Sequence, residues 1–156
     1  MPGRAPALRG GLHRYGAKGD AGAIGAKGDP GPLPATLPSG KSLRGSFGAG
    51  VTAGAANQLV EGTISYPFPL AAPPASRIVA AAAVPPAECP GTATNPAAAP
   101  GYLCIFVAGS NSVGVLGSYG TSDGNVNYRY GAAVYARSTG AAGSAEFWGT
   151  WAVTAP

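Results

Sequence analysis

Charge is scarce in this sequence. Only 10% of its 156 residues are Asp, Glu, Lys or Arg, whereas about a quarter are charged in ordinary soluble domains. A surface so poor in charge suits a protein that buries much of it between subunits. The net charge is +4, and Arg4, Arg9 and Arg14 supply much of it in the first fifteen residues. Because the basic residues are spaced apart and lack interleaved aromatic residues, we expect no nucleic-acid partner.

Groups for catalysis and metal binding are equally few. His13 is the only histidine, so a nucleophilic cysteine has no nearby base, and a zinc site lacks its ligands. The four acidic residues after residue 40 are scattered, with no close pair for acid–base chemistry. No phosphate-binding glycine loop and no Asn-x-Ser/Thr sequon occurs. We therefore predict a non-enzymatic protein with no cofactor and no metal.

Long apolar runs are also missing. No stretch approaches the roughly 20 residues that span a bilayer, so we expect no membrane span. Residues 1–15 carry arginines without the hydrophobic region of a secretory signal. Other features favour an extracellular or cell-surface protein, so we expect the natural start to lie upstream of Met1, or the chain to be a fragment.

Glycine, by contrast, is abundant and, in one segment, strictly periodic. Residues 16–33 read GAK GDA GAI GAK GDP GPL, with a glycine at every third position. These glycines are Gly16, Gly19, Gly22, Gly25, Gly28 and Gly31. Collagen requires this step because three extended chains wind around one axis, where only glycine fits. The segment therefore predicts a collagen-like triple helix and a homotrimer.

The collagen-like segment is short, and its ends are defined. His13 and Pro34 occupy the glycine positions on either side of it, so residues 1–15 form a flexible tail and 34–40 a proline-rich hinge. At ~3 Å per residue the segment spans about 50 Å. Its charged residues are Lys18, Asp20, Lys27 and Asp29. Their spacing favours ion pairs between neighbouring chains rather than a receptor-binding motif. Six triplets are too few to trimerise alone, so we expect the rest of the chain to drive assembly.

Residues 41–156 have the pattern of an all-β head. Short apolar runs alternate with Gly, Pro, Ser and Asn breaks, predicting strands at 41–47, 60–70, 77–82, 102–108, 113–116, 125–137 and 147–154. Residues 60–70 alternate at period two, with prolines that favour an edge strand. Residues 102–108 are apolar on both faces, as in a central strand. We predict a jelly-roll-like β-sandwich. A helix is conceivable only at 79–84, where a strand running into a loop is favoured.

The two cysteines enclose a loop rich in proline and alanine. Cys89 lies in that loop and Cys104 in a predicted strand, which favours a disulfide that fastens the loop to the sheet. Free buried thiols are the main alternative, and a catalytic role is the remote one.

Two features are candidate ligand sites. The polar segment 118–127 places Asp123 among oxygen-bearing side chains, but it lacks the bidentate glutamate of a calcium loop, so a plain turn is favoured. An aromatic group could stack on a sugar, although a place in the core or a subunit interface is favoured. Its members are Tyr128, Tyr130, Tyr135, Trp148 and Trp151.

Three stretches outside the triplets carry a resemblance to a family. They are LPSGKSLRG at 37–45, PPAECPGTATNPAAAPGYLC at 85–104 and WGTWAVTAP at 148–156. With the triplets, they resemble collagen-like proteins of actinobacteria. The resemblance implies an exported, surface-associated protein with no catalytic residues to transfer. The architecture is also similar to complement and tumour-necrosis-factor-like proteins, which carry trimeric jelly-roll heads on stalks. We expect a structural or adhesive role, or alternatively a lectin-type head.

Overall fold

The computed structural model describes residues 33–121, 128–140 and 142–156, together with Gly3, Gly16, Gly22 and Gly31. The chain divides into two compact units, Met1–Pro32 and Leu33–Pro156. The predicted tail and nearly all of the collagen-like segment lie outside the described residues, so the triple helix stays a prediction. The described strands all belong to the second unit.

Seven β-strands and no helix make up the described part of this unit. The strands are β1 (Ser42–Ala53), β2 (Leu59–Ser65), β3 (Ala75–Val79), β4 (Tyr102–Asn111), β5 (Gly117–Gly120), β6 (Gly131–Arg137) and β7 (Gly143–Thr154). They form a four-stranded sheet in the order β1-β7-β4-β3 and a three-stranded sheet in the order β2-β6-β5. The predicted all-β sandwich is confirmed.

The strand pairing is nested along the chain. The first strand pairs with the last, Ser42 opposite Thr154, and β2 pairs with β6, both antiparallel. A jelly roll has the same nested pairing, because it can be described as one long hairpin that is rolled up. Two features differ from the eight antiparallel strands of a jelly roll. Seven strands occur in the described residues, and β3 runs parallel to β4.

The main core lies between the two sheets and follows the alternation of the strands. In β7, alternate residues from Ala145 to Val153 point inward, while Trp148 and Thr150 point outward. Fully buried Phe147 packs against Phe47 of β1, with ring centroids 6.1 Å apart. Side chains at period two therefore bury one face of each sheet.

Strand β4 is the exception, because both of its faces are covered. Leu103 and Ile105 belong to the main core, whereas Cys104 and Phe106 form a second buried cluster on the outer face of the sheet. The loop that follows β3 covers this outer cluster. The apolar run at 102–108 is thus the central strand that its sequence predicted.

The second half of the segment 34–40, predicted to be a hinge, contacts the sandwich. Leu37 is buried in the main core, and its backbone N–H donates to the carbonyl oxygen of Pro69 at 2.9 Å. The backbone N–H of Gly40 donates to the carbonyl oxygen of Ala155 at 3.1 Å. From Leu37 onward, the chain is held by the sandwich.

Several predicted strand bounds differ from the observed ones. The strand predicted at 60–70 ends at Ser65, because Pro67 and Pro69 have no N–H for a ladder. Residues 113–116 contribute only one isolated bridge, and the neighbouring strand is β5. Residues 80–83 form a turn, so β3 runs into a loop rather than a helix. The predicted strand at 125–137 begins at Gly131, and its residues 125–127 lie outside the described part.

Candidate functional site

The disulfide predicted from the sequence is present. Cys89 and Cys104 are bonded, with their Cα atoms 5.6 Å apart, and both are fully buried. It attaches the loop after β3 to the outer face of β4. Two threonines of β7 hold the same loop: the hydroxyls of Thr150 and Thr154 donate to the carbonyl oxygens of Ala93 and Ala98, each at 2.8 Å. The loop is therefore fixed to the sheet at three points, which is a structural role.

Two members of the predicted aromatic group lie in the interior. Trp151 packs beside Tyr66 in the main core, with ring centroids 5.4 Å apart. Gly45 on β1 makes room for this indole, because a Cβ there would come within 2.7 Å of it. The hydroxyl of buried Tyr128 donates to the carbonyl oxygen of Ser118 at 3.1 Å. Neither ring is accessible for stacking on a sugar.

Two other members, Trp148 and Tyr130, are exposed but are not gathered into one platform. Trp148 points outward from β7 and is 46% exposed, while Tyr130, just before β6 in the other sheet, is 51% exposed. The guanidinium of Arg129 lies 5.8 Å from the centre of the Tyr130 ring. The Trp148 indole covers Gly109 of β4, where a Cβ would come 2.5 Å from a ring carbon. Trp148 is thus the member whose geometry suits stacking with a flat ligand.

Tyr135, the fifth member of the predicted group, forms an outward aromatic pair with Tyr119, a residue that was not predicted. Tyr119 of β5 and Tyr135 of β6 have ring centroids 5.8 Å apart on the outer face of the three-stranded sheet. A hydrogen bond with the Glu61 carboxylate raises the pKa of Tyr119. Tyr135 covers Gly117, which leaves no room for a side chain there. Tyr119 is the one residue of the strand GSYG that favours β-structure, so the sequence did not indicate that it would pair with Tyr135.

An apolar depression runs along the side of the sandwich where β3 and β5 form the sheet edges. Its volume is about 570 Å³, and it is lined mainly by Ile78, Ala80, Ala81, Val107, Val115 and Leu116. We call this surface the edge groove. Val115 in its wall is 94% exposed, and Val84, in the loop after β3, is 92% exposed. The sequence placed residues 113–116 in a strand, and that is why this surface was not predicted.

Tyr66 is an unusual core residue. Its hydroxyl oxygen is buried and makes no hydrogen bond with any described residue. Burial is the larger cause that raises the pKa of Tyr66, and the nearby Tyr128 is the smaller one. The side chain therefore carries a polar group that no described residue satisfies.

Replacing Tyr66 by phenylalanine is expected to stabilise the head by about 1 kcal/mol at neutral pH, because it removes a buried unsatisfied hydroxyl. The pKa of Tyr66 is raised in the folded state, so above pH ~10 the unfolded chain loses this proton first and stability falls as pH rises. The substitution should make that alkaline loss smaller. Urea unfolding at pH 7 and pH 10.5 measures both effects. Tyr128→Phe is the control, because it removes a satisfied hydroxyl and should destabilise. A loss of stability for Tyr66→Phe at pH 7 would mean that the hydroxyl has a partner.

The remaining predicted residues cannot be placed. Asp123 lies outside the described residues, as do Lys18, Asp20, Lys27 and Asp29, and of the triplet glycines only Gly16, Gly22 and Gly31 are described. Within the described part of the chain, no three His, Cys, Asp or Glu side chains gather around a common point for a metal ion. The same residues include no helix long and apolar enough to cross a membrane. Comparison with protein-family models, curated proteins and solved structures finds no match for this chain.

Proposed function

We propose that this chain is a non-enzymatic, extracellular, homotrimeric collagen-like protein with a structural or adhesive role at the cell surface. A short triple-helical stalk would carry three β-sandwich heads. The single observation behind this proposal is the strict period of three in residues 16–33. With about one glycine in six along the chain, 26 of 156, six in register by chance would be very rare.

Two features of the head support the proposal. The disulfide is typical of proteins from oxidising compartments, in agreement with a location outside the cell. The surface also carries large apolar side chains, above all Val84 and Val115, that an isolated head leaves in water. Contact between heads would cover such residues, and it would supply the assembly that six triplets lack.

The stalk is tested by protease protection of the full chain. Trypsin cleaves after Lys18 and Lys27 in an open chain, whereas a triple helix shields these bonds, so we expect slow cleavage of the wild-type protein. Gly25→Ser places a side chain on the crowded axis and should restore fast cleavage at both lysines. Ala26→Ser makes the matched change at an outward position and should stay protected.

Sedimentation of the wild-type protein at micromolar concentration completes the test. We expect three times the mass of one chain. A monomer at this concentration, or equal protection of the Gly25→Ser and Ala26→Ser variants, would contradict the proposal.

The second candidate is a lectin-type head, favoured by one observation. The Trp148 indole lies over Gly109 and keeps 46% of its surface exposed, as a ring that stacks on a sugar must. A glycan array probed with and without calcium separates the two functions. Binding that Trp148→Ala abolishes would support a lectin, and a trimer that binds no glycan leaves the structural role.

A further inference from the structure

We propose that the edge groove and the exposed turn beside it form the contact between the heads of the trimer. This inference rests on the proposed function, since it names where the copies of the chain meet. It starts from the open side of the sandwich formed by β3 and β5.

The edges of both sheets meet on this side. β3 ends the four-stranded sheet and β5 ends the three-stranded sheet, and the two strands touch through the hydroxyls of Ser76 and Ser118, 3.0 Å apart. Both strands are short, with five and four residues. Edges this short offer little backbone to pair with another chain, so a contact here would be made by side chains rather than by strand pairing.

The surface is apolar and uncharged. No lining residue of the edge groove is Asp, Glu, Lys or Arg. A smaller pocket of about 170 Å³ continues it beneath residues 80–85, sharing Ala80 and Val107 with the groove. The turn at 80–83 and the three residues after it read AAAAVPP, and all seven residues are exposed. Exposed apolar side chains that cluster in this way can mark a protein interaction site.

The opposite side of the sandwich has a different character. The outward residues of β1 there are mostly polar or glycine, from Ser42 and Arg44 to Thr52. Such a strand is suited to contact with water. The contrast identifies the β3–β5 side as the side that is better suited to be covered.

The occupant that fits is a second copy of this chain. Five residues separate Gly31, the last triplet glycine, from Leu37, which is anchored in the core. The six Cα–Cα steps from Gly31 to Leu37 reach at most ~22 Å when fully extended. Three heads attached to one triple helix would therefore be held close enough to touch, so a second copy of this chain is the partner that is always within reach.

Charge also permits three copies of this surface to converge around a threefold axis. Residues 41–156 carry five basic and four acidic side chains, so the heads barely repel each other. A cyclic trimer repeats one contact three times, and an uncharged patch can be repeated without burying like charges. A charged foreign partner would find no complementary group among the lining residues of this groove.

The test uses the full chain with Gly25→Ser, because a broken triple helix leaves the heads as the main contact between chains. Into this background Val115→Glu or Val84→Glu is introduced, and the control is Leu59→Glu, which also places a charge on an exposed apolar side chain but at β2. We expect the concentration for half-dissociation of the trimer, measured by sedimentation equilibrium, to rise at least tenfold for Val115→Glu and Val84→Glu. Leu59→Glu should leave it within about twofold, and the thermal midpoints of all variants should match at a protein concentration where every variant is monomeric.

The outcomes separate this inference from the proposed function. A wild-type protein that is monomeric at all concentrations would overturn both. A wild-type trimer whose Gly25→Ser variant is monomeric would mean that the stalk assembles the chain, and the head contact would be wrong while the function stands. Equal dissociation by Leu59→Glu, or none by Val115→Glu and Val84→Glu, would place the contact elsewhere.

Discussion

Replacing Phe147 by alanine is expected to lower the free energy of unfolding of the head by about 3–5 kcal/mol. Phe147 is fully buried between the two sheets and packs against Phe47. Deleting the ring removes its apolar area from the core and leaves a cavity that the central strand β7 cannot close without moving its partners β1 and β4. Because domains of this size are stable by only about 5–15 kcal/mol, the variant would keep a small part of its stability.

The neighbouring residue supplies the control for this experiment. Trp148 is the larger aromatic, but it points to the outer face of β7 and is 46% exposed. Trp148→Ala should cost about 1 kcal/mol, as expected for a side chain outside the core. Urea unfolding of both variants at one protein concentration compares them. Equal losses of unfolding free energy would mean that Phe147 does not point inward and Trp148 outward.

Removing the disulfide is expected to cost about 3 kcal/mol in the double variant Cys89→Ala/Cys104→Ala. The bond closes a loop with a sequence separation of 15 residues, and an open loop gives the unfolded chain more conformations. The second buried cluster, which includes both cysteines, would also loosen. We expect a fall in thermal midpoint of about 10 °C.

Reduction and a hydrogen-bond variant check the cause. Dithiothreitol should lower the thermal midpoint of the wild-type protein toward that of the double variant and leave the double variant unchanged. Thr150→Val removes only the hydrogen bond from Thr150 to the same loop and should cost about 1 kcal/mol. A wild-type midpoint that does not respond to complete reduction would contradict a stabilising role of the bond.

The sequence predicted the fold best where the local signal and the tertiary structure agree. The run at 102–108 is apolar on both faces because a loop covers its outer side, and Cys104 in that run pairs with Cys89 as expected. The start of β1 near Lys41 and the absence of a helix in the described residues were also predicted. In these places, residue type and burial carry the same information.

The prediction failed where pairing rather than composition makes a strand. β1 continues past Phe47 through a glycine-rich stretch, because each of its residues has a partner on β7. β5 is the strand GSYG, which is ordered by its pairing with β6. After Ser65 apolar residues still alternate with others along the chain, but strand pairing stops because the prolines have no N–H to donate to a neighbouring strand.

The candidate site was less predictable than the fold. Trp148 and Trp151 are three residues apart on one strand, so alternation alone puts them on opposite faces of the sheet. The edge groove depends on how the turn at 80–83 and the segment before β5 approach each other. Such an approach is a long-range feature that no local pattern in a single sequence contains.

The pairing of β1 with β7 has a geometric consequence. Ser42 faces Thr154, and the backbone N–H of Ala155 donates to the carbonyl oxygen of Lys41 at 3.0 Å. The chain therefore enters and leaves the sandwich at the same end. Ala53 faces Gly143 at the other end, where the backbone N–H of Asn57 donates to the carbonyl oxygen of Ser138. A tag appended after Pro156 would therefore emerge beside the entry strand. The loop at 54–58 lies at the opposite end of the sandwich, away from such a tag.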